Sequence, residues 1–216
     1  METVKSLNVQ KELEDKKFQL IMKRIFDITA SVVGLVILSP IFILISIFIK
    51  LDSRGPVFFR QTRVGLNKKE FKIFKFRTMV NDAEVKGRQI TVGNDNRITN
   101  VGYFIRKYKI DEFPQLINVL KGEMSLVGPR PEVPSYVELY DEEQEQVLMV
   151  KPGITDYASI EFRNENEILG NSLNPEEEYI ENIMPMKIGL NLKYINEISV
   201  LTDVKIILNT LVCIIK

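Results

Sequence analysis

The stretch from Ile28 to Ile49, ITASVVGLVILSPIFILISIFI, carries no charged side chain. About twenty such residues in a helix reach across a hydrocarbon core of roughly 30 Å, so this run constrains the chain more than any other feature. Three placements are open: a full membrane span, a re-entrant hairpin that enters and leaves on one side, and a buried helix of a soluble core. The length of the uncharged run argues against the third. A cleavable leader is not expected, because more than about twenty charged and polar residues precede the run and Ser39-Pro40 is followed by more apolar chain. Pro40 has no N–H and crowds the carbonyl of Val36, so the helix is expected to break or bend there, with Ser39 beside a freed carbonyl. Both flanks are basic: Lys16, Lys17, Lys23 and Arg24 before, and Lys50, Arg54, Arg60, Arg63, Lys68 and Lys69 after. Lys and Arg mark cytoplasmic flanks, and a hairpin keeps both clusters on that side, so the re-entrant placement is favoured.

The expected fold is α+β: an amphipathic arm over residues 1–22, a re-entrant membrane helix broken at Ser39-Pro40 over 23–50, and a mostly helical cytosolic catalytic domain with a short β-hairpin over 51–216. The arm, with Val9, Leu13, Phe18, Leu20 and Ile21 as its apolar positions, either lies on the membrane surface or is a frayed solvated segment. The strings PVFFRQTRVG and KKEFKIFKFRTM alternate apolar and basic residues around Gly65 and Asn67, which predicts a hairpin with one strongly positive face. Lys72, Lys75 and Arg77 are expected to share that face, although a plain solvated strand face is the commoner cause of such a pattern. Residues 81–99 read as a polar helix or loop, and amphipathic surface helices follow, the last apolar over much of its surface.

The formal charge is zero, with 29 basic and 29 acidic residues, so nothing points to nucleic acid as a partner. The chain contains no histidine, which removes Ser-His-Asp and Cys-His catalysis and imidazole-based zinc sites. The single cysteine, Cys213, makes an intrachain disulfide impossible. Acid–base or metal chemistry therefore falls to Asp, Glu, Lys, Arg and Tyr.

Two short motifs carry such chemistry. Asp111 and Glu112 stand at the start of a predicted helix with Pro114 in its first turn. They either cap that helix or hold a divalent cation beside a phosphate at its N-terminus. In Gly128-Pro129-Arg130-Pro131 the prolines stiffen the backbone around an arginine whose guanidinium matches phosphate oxygens, or which is a solvated side chain on a rigid turn.

Taken together, KRIFDI, the Ser39-Pro40 break, FFRQTRVG, FKIFKFRTM, DEFPQLINVLKGEMSLVGPRPE and KPGIT resemble the bacterial sugar transferase family, the monotopic polyprenyl-phosphate phosphoglycosyl transferases, over roughly residues 23–163. The resemblance is to the small form, without extra N-terminal membrane helices. It implies transfer of a sugar 1-phosphate from a nucleotide sugar, usually a UDP-sugar, to a polyprenyl (undecaprenyl) phosphate with release of UMP. It also implies a magnesium ion, a covalent aspartyl intermediate, and a start to capsule, exopolysaccharide, O-antigen or glycoprotein glycan assembly. By that similarity Asp111 is the nucleophile, Glu112 a metal or proton-handling group, and Asp111 with Glu112 the metal pair. Lys75, Arg106 and Arg130 hold phosphate, with Arg163 near the nucleotide or sugar. The expected setting is the lipid bilayer of the bacterial inner membrane, entered from the cytoplasmic face, and a homodimer is compatible with the sequence. After KPGIT the chain departs from the usual pattern, with Asp156, Ala158-Ser159 and Phe162 where relatives carry Gly, an Ala-Gln pair and Gly, which leaves the donor sugar open. Two other readings stand beside this one: a non-catalytic membrane-anchored scaffold, and a glycosyltransferase that releases UDP.

Overall fold

The computed structural model describes residues 9–81 and 95–215. Most of the polar stretch over 81–99, and residues 1–8 of the expected arm, lie outside the described residues. The architecture is α+β, mostly helical, with two small sheets.

Helix α1 (Val9–Asp15) is followed almost at once by α2 (Lys17–Asp52). Val9 is buried and packs, with Leu13 and Leu20, against Tyr194, Ile195, Ile198 and Ile206. Val9, Leu13 and Leu20 thus dock part of the arm on the domain, while Phe18 and Ile21 face outward. The helical run of α2 continues through Ser39 and Pro40, where two separate arms were expected. The reason is local: Ser39 Oγ donates to the Val36 carbonyl at 2.8 Å, the group that the proline leaves without its N–H partner. Most of the apolar stretch, from Val32 to Leu44 in particular, is turned outward.

Polar contacts fix both ends of α2 to the rest of the molecule. Near its start Lys23 is buried and donates to Asp203 Oδ2 (2.5 Å) and the Val127 carbonyl (2.8 Å). Arg24 Nη1 donates to the Val119 carbonyl at 2.8 Å. Asp27 accepts from Ser125 Oγ (2.8 Å) and the Leu126 amide (3.1 Å). Near its end Phe42, Ile45 and Ile49 pack with Phe76 and Ile105. Arg77 donates to the carbonyls of Ser53 (2.7 Å) and Arg54 (2.8 Å), and Asp52 accepts from the Val101 amide (2.9 Å). A cation on the last carbonyls of a helix satisfies groups that have no intrahelical donor.

Strands β1 (Phe58–Val64) and β2 (Glu70–Phe76) form the expected antiparallel hairpin, Phe58 opposite Phe76 and Val64 opposite Glu70. Its turn uses left-handed backbone at Asn67 and Lys68. The single positive face does not form. Phe71 and Ile73 point into a core with Val119 and Met124, Lys75 shares their side, and Lys72 is exposed on the opposite one. Residues 72 and 75 differ in strand parity, so pleating alone separates them.

Then come α3 (Asn100–Lys107), a 3-10 turn (Ile110–Gln115), α4 (Leu116–Lys121), β3 (Ser125–Val127) and α5 (Pro134–Val137). The chain closes with β4 (Gly153–Thr155), α6 (Tyr157–Glu161), α7 (Glu165–Gly170), α8 (Pro175–Glu178), α9 (Met184–Asn196) and α10 (Val200–Ile215). Strands β3 and β4 pair in parallel, and the pairing runs on into the Pro-Arg-Pro turn: the Gly128 amide donates to Thr155 O (3.1 Å) and the Gly153 amide to Pro129 O (2.9 Å). A Cβ at Gly153 would lie 2.1 Å from the Gly128 nitrogen, so only glycine allows the two main chains to meet.

Removing one partner from a buried ion pair leaves an uncompensated charge and costs about 3–5 kcal/mol. Asp203→Ala is therefore expected to lower the thermal midpoint of the detergent-solubilised protein sharply. The double variant Lys23→Met, Asp203→Leu should recover most of that loss.

Candidate active site

Lys75, Arg106, Asp111, Glu112, Arg130 and Arg163 all line one open cleft of ≈ 810 Å³. Ser39 and Pro40 lie apart from it, in the outward middle of α2. β2 supplies Lys75, the last turn of α3 supplies Arg106, the 3-10 turn supplies Asp111 and Glu112, and the stapled glycine-proline turn supplies Arg130. Arg163 follows α6 at the exposed rim.

The two adjacent carboxylates are treated differently. Glu112 Oε1 accepts from Lys75 Nζ (2.8 Å) and Arg130 Nη2 (2.6 Å), and Oε2 faces Arg130 Nη1 at 3.5 Å. Burial alone would push its carboxyl up, but Arg130 and Lys75 outweigh that and hold it well below the usual range. Asp111 caps no helix, and among the described residues nothing donates a hydrogen bond to its side chain. Burial pushes its carboxyl up, and Glu112 adds to this; Lys75, Arg106 and Arg130 pull the other way without cancelling it. One carboxylate is thus committed to a clamp, and its neighbour is held open, half-buried and more basic than an ordinary aspartate.

The clamp has its own support. Arg63, counted in the sequence only as part of the basic flank, donates to the Pro131 carbonyl at 3.0 Å and pairs with Glu132 at 3.6 Å. Glu132 also accepts from the Tyr179 hydroxyl at 2.5 Å. Arg77, expected on a strand face, instead lies under the end of α2.

Lys109 is the other residue that sequence reasoning missed. It lines the cleft two positions before Asp111, in left-handed backbone (φ 52, ψ 23). That conformation costs a non-glycine residue roughly 1–2 kcal/mol. Burial, and then Arg130, push its ammonium down. A positive φ at lysine has no sequence signature.

On the far wall Asp156 accepts from the Ser159 amide at 2.6 Å and so starts α6. Its Oδ2 and the Ser159 hydroxyl are buried without partners among the described residues. Ser159 and Phe162, two of the residues that depart from the usual pattern, line the cleft.

Among the described residues no three carboxylate or thiol groups come together as a cation cage. Magnesium commonly uses one or two carboxylates and completes its shell with water and substrate phosphates. With Glu112 occupied by two cations, Asp111 is the carboxylate with lone pairs to offer, and the donor set fits magnesium on those terms.

A family model described as bacterial sugar transferase matches residues 18–216. The chain is similar to an undecaprenyl-phosphate glucose phosphotransferase of Komagataeibacter xylinus, 40% identical over 213 residues, which cover 95% of this chain and 38% of that protein. It is similar to a UDP-N-acetylgalactosamine-undecaprenyl-phosphate N-acetylgalactosaminephosphotransferase of Aeromonas hydrophila, 38% identical over 193 residues, 88% of this chain and 43% of that one. It therefore spans about two fifths of the length of these two relatives. The exopolysaccharide production protein PSS of Rhizobium leguminosarum bv. phaseoli is matched over 94% of its length and 89% of this chain, at 38% identity over 201 residues.

The two carboxylates should separate in a stability measurement. Glu112→Gln strands two partly buried cations and is expected to cost about 3 kcal/mol, on the order of 10 °C in thermal midpoint for a chain of this size. Asp111→Asn removes a charge that burial disfavours and breaks no hydrogen bond, so its midpoint should stay the same or rise.

Proposed function

This chain belongs to the bacterial sugar transferase family, and we propose that it moves a sugar 1-phosphate from a UDP-sugar to undecaprenyl phosphate at the cytoplasmic face of the bacterial inner membrane, releasing UMP. The product would start assembly of a capsule, exopolysaccharide or related glycan. The observation that carries this reading is Asp111: a half-buried carboxylate with no hydrogen-bond donor of its own among the described residues, lining a cleft with Lys75, Arg106 and Arg130.

In the first step an Asp111 oxygen attacks the sugar-bearing phosphorus, and the bond from that phosphorus to the bridging oxygen breaks. UMP leaves with the electron pair. In the second, a phosphate oxygen of the polyprenyl phosphate attacks the same phosphorus and the Asp111 carboxylate departs. A carboxylate held more basic than usual is a better nucleophile, and its acyl phosphate remains reactive enough to be discharged. Arg130 and Lys75, steadied by Glu112, offer their remaining donors to phosphate oxygens as charge grows on them. Magnesium bound beside Asp111 would offset repulsion between that carboxylate and the diphosphate. The α6 wall, with Ser159 and Phe162, is the place where the sugar is distinguished.

The attachment of α2 supports a monotopic placement. Lys23, Arg24 and Asp27 at one end, and Asp52 with the carbonyls held by Arg77 at the other, are bonded to the same domain. A helix tied at both ends to one body keeps both ends on one side of the bilayer, and its outward apolar middle enters lipid from there. With α2 so placed, the open cleft would meet a lipid-borne acceptor at the membrane surface and a nucleotide donor from water.

Purified full-length protein given UDP-sugar labelled in the sugar should retain label on the polypeptide, and Asp111→Asn should abolish both label and UMP release. UDP as the nucleotide product would establish direct glycosyl transfer, and neither product, with a panel of donors, would leave the scaffold reading. In a Cys213→Ser background, Gln10→Cys and Lys69→Cys should both react with an impermeant maleimide only from the cytoplasmic side. Labelling of one from each side would establish a span.

A further inference from the structure

Outside the clamp around Glu112, the cleft holds a second ion pair that the reaction above does not use. Lys187 of α9 and Glu165 at the start of α7 both line the cleft, and Lys187 Nζ donates to Glu165 Oε2 at 3.0 Å. The lysine side chain is only 9% exposed. Its ammonium also lies 3.5 Å from the Tyr179 hydroxyl and 5.1 Å from the centre of that ring. Tyr179 in turn donates to Glu132, beside the turn that carries Arg130, so a run of contacts joins the pair to that turn. Lysine is almost never fully buried unless paired, and this one is paired in the wall of an open cleft.

Two more side chains of the same wall stand beside the pair. The Glu165 amide donates to the Phe162 carbonyl at 3.0 Å, which sets the end of α6 against the start of α7. Phe162 packs against the cluster that contains Tyr179, Met184 and Ile188, and the last two flank Lys187 on α9. Ser159 precedes Phe162 by three residues, so the two share a side of α6. The Ser159 hydroxyl is buried without a partner among the described residues. Ser159, Phe162, Glu165 and Lys187 all line the cleft.

The chemistry of this wall differs from that of the phosphate clamp. Around Glu112 two cations share one carboxylate, whereas Lys187 and Glu165 are matched one to one. Glu165 Oε1 accepts no hydrogen bond among the described residues, and Glu165 and Tyr179 use two of the three donors of Lys187. The pair therefore offers an acceptor and a donor side by side, with no net charge. A hydroxyl group both donates and accepts, so neighbouring hydroxyls on a sugar ring match such a pair, while Phe162 supplies apolar surface for the C–H face of the ring. We propose that Ser159, Phe162, Glu165 and Lys187 form a subsite for a hydroxylated sugar ring of the donor, in which Glu165 and Lys187 together take neighbouring hydroxyl groups. This inference rests on the reading of the donor as a UDP-sugar and extends the selective wall from α6 to α7 and α9. A UDP-sugar carries two such rings, the transferred sugar and the ribose of its uridine, and the experiment separates them.

The test uses the full chain in detergent and compares the parent with Ser159→Ala and with the double variant Glu165→Leu, Lys187→Met, which removes both charges and strands neither. Calorimetry measures affinity for UDP, for 2′-deoxy-UDP, and for a panel of UDP-hexoses and UDP-N-acetylhexosamines. The double variant is expected to weaken the best UDP-sugar about tenfold or more and to flatten the ranking within the panel. Ser159→Ala should weaken the same ligand by about threefold without lowering the thermal midpoint, because the hydroxyl has no bond to lose. Loss confined to the UDP-sugars places the transferred ring at the pair. Equal loss for UDP and the UDP-sugars, with 2′-deoxy-UDP spared, places the ribose there. Affinities within about twofold of the parent for every probe in the double variant would overturn the subsite, as would one uniform loss for all probes with a lowered midpoint, the mark of a tie between α7 and α9. If the double variant does not fold, Ser159→Ala decides, and an unchanged UDP-sugar affinity there rejects the proposal. A parent that binds none of the nucleotides brings down the reaction and the subsite together, whereas a parent that binds them and variants that match it bring down the subsite alone.

Discussion

The buried ion pair between Lys23 and Asp203, shared with the Tyr194 hydroxyl and the Val127 carbonyl, is the constraint on which the rest of the structure depends. An apolar helix gains from being removed from water whatever its rotation, because that driving force has no direction. Directional contacts must therefore set which face of α2 meets the domain. Lys23 couples α2 to α10, Arg24 couples it to the end of α4, and Asp27 couples it to β3. At the other end Arg77 and Asp52 do the same work for β2 and α3. Rotation and register of the helix are thereby specified, and with them the position of the cleft relative to whatever surface the outward apolar residues meet.

Within the cleft, chemistry follows from two neighbouring carboxylates placed in opposite circumstances. The 3-10 turn sets successive residues about a third of a revolution apart, so Asp111 and Glu112 cannot look the same way. Glu112 is directed at two cations and stays ionised; Asp111 is directed at open space and is made more basic by burial. Environments that drive a pair of acids apart are a usual means of giving like side chains unlike tasks. The clamp around Glu112 keeps Lys75 and Arg130 in register without placing either on Asp111.

What could be read in advance was what is written locally. The β1–β2 hairpin is set by alternation and by turn residues, and the stiffness around Arg130 is set by its flanking prolines. Six residues chosen in advance from the sequence meet in one cleft. Partners distant in sequence could not be read. Nothing near Glu112 announces that Lys75 and Arg130 neutralise it, and nothing near Val9 announces that it packs with Tyr194. Parity was available and separates Lys72 from Lys75. Asp111 looks like a helix cap in sequence because Asp before Glu and Pro commonly is one, and the tighter turn that replaces the α-helical start follows from the left-handed step at Lys109.

The contact between Gly128 and Gly153 has a consequence of a different sort. The turn that carries Arg130 is joined to β4 main chain to main chain, and side chains act only at its margins, Arg63 on the Pro131 carbonyl and Glu112 on the guanidinium. Substitutions along α6 leave that joint in place, because α6 supplies none of its hydrogen bonds. A backbone joint of this kind lets one wall of the cleft vary in sequence while the turn that presents the arginine keeps its shape.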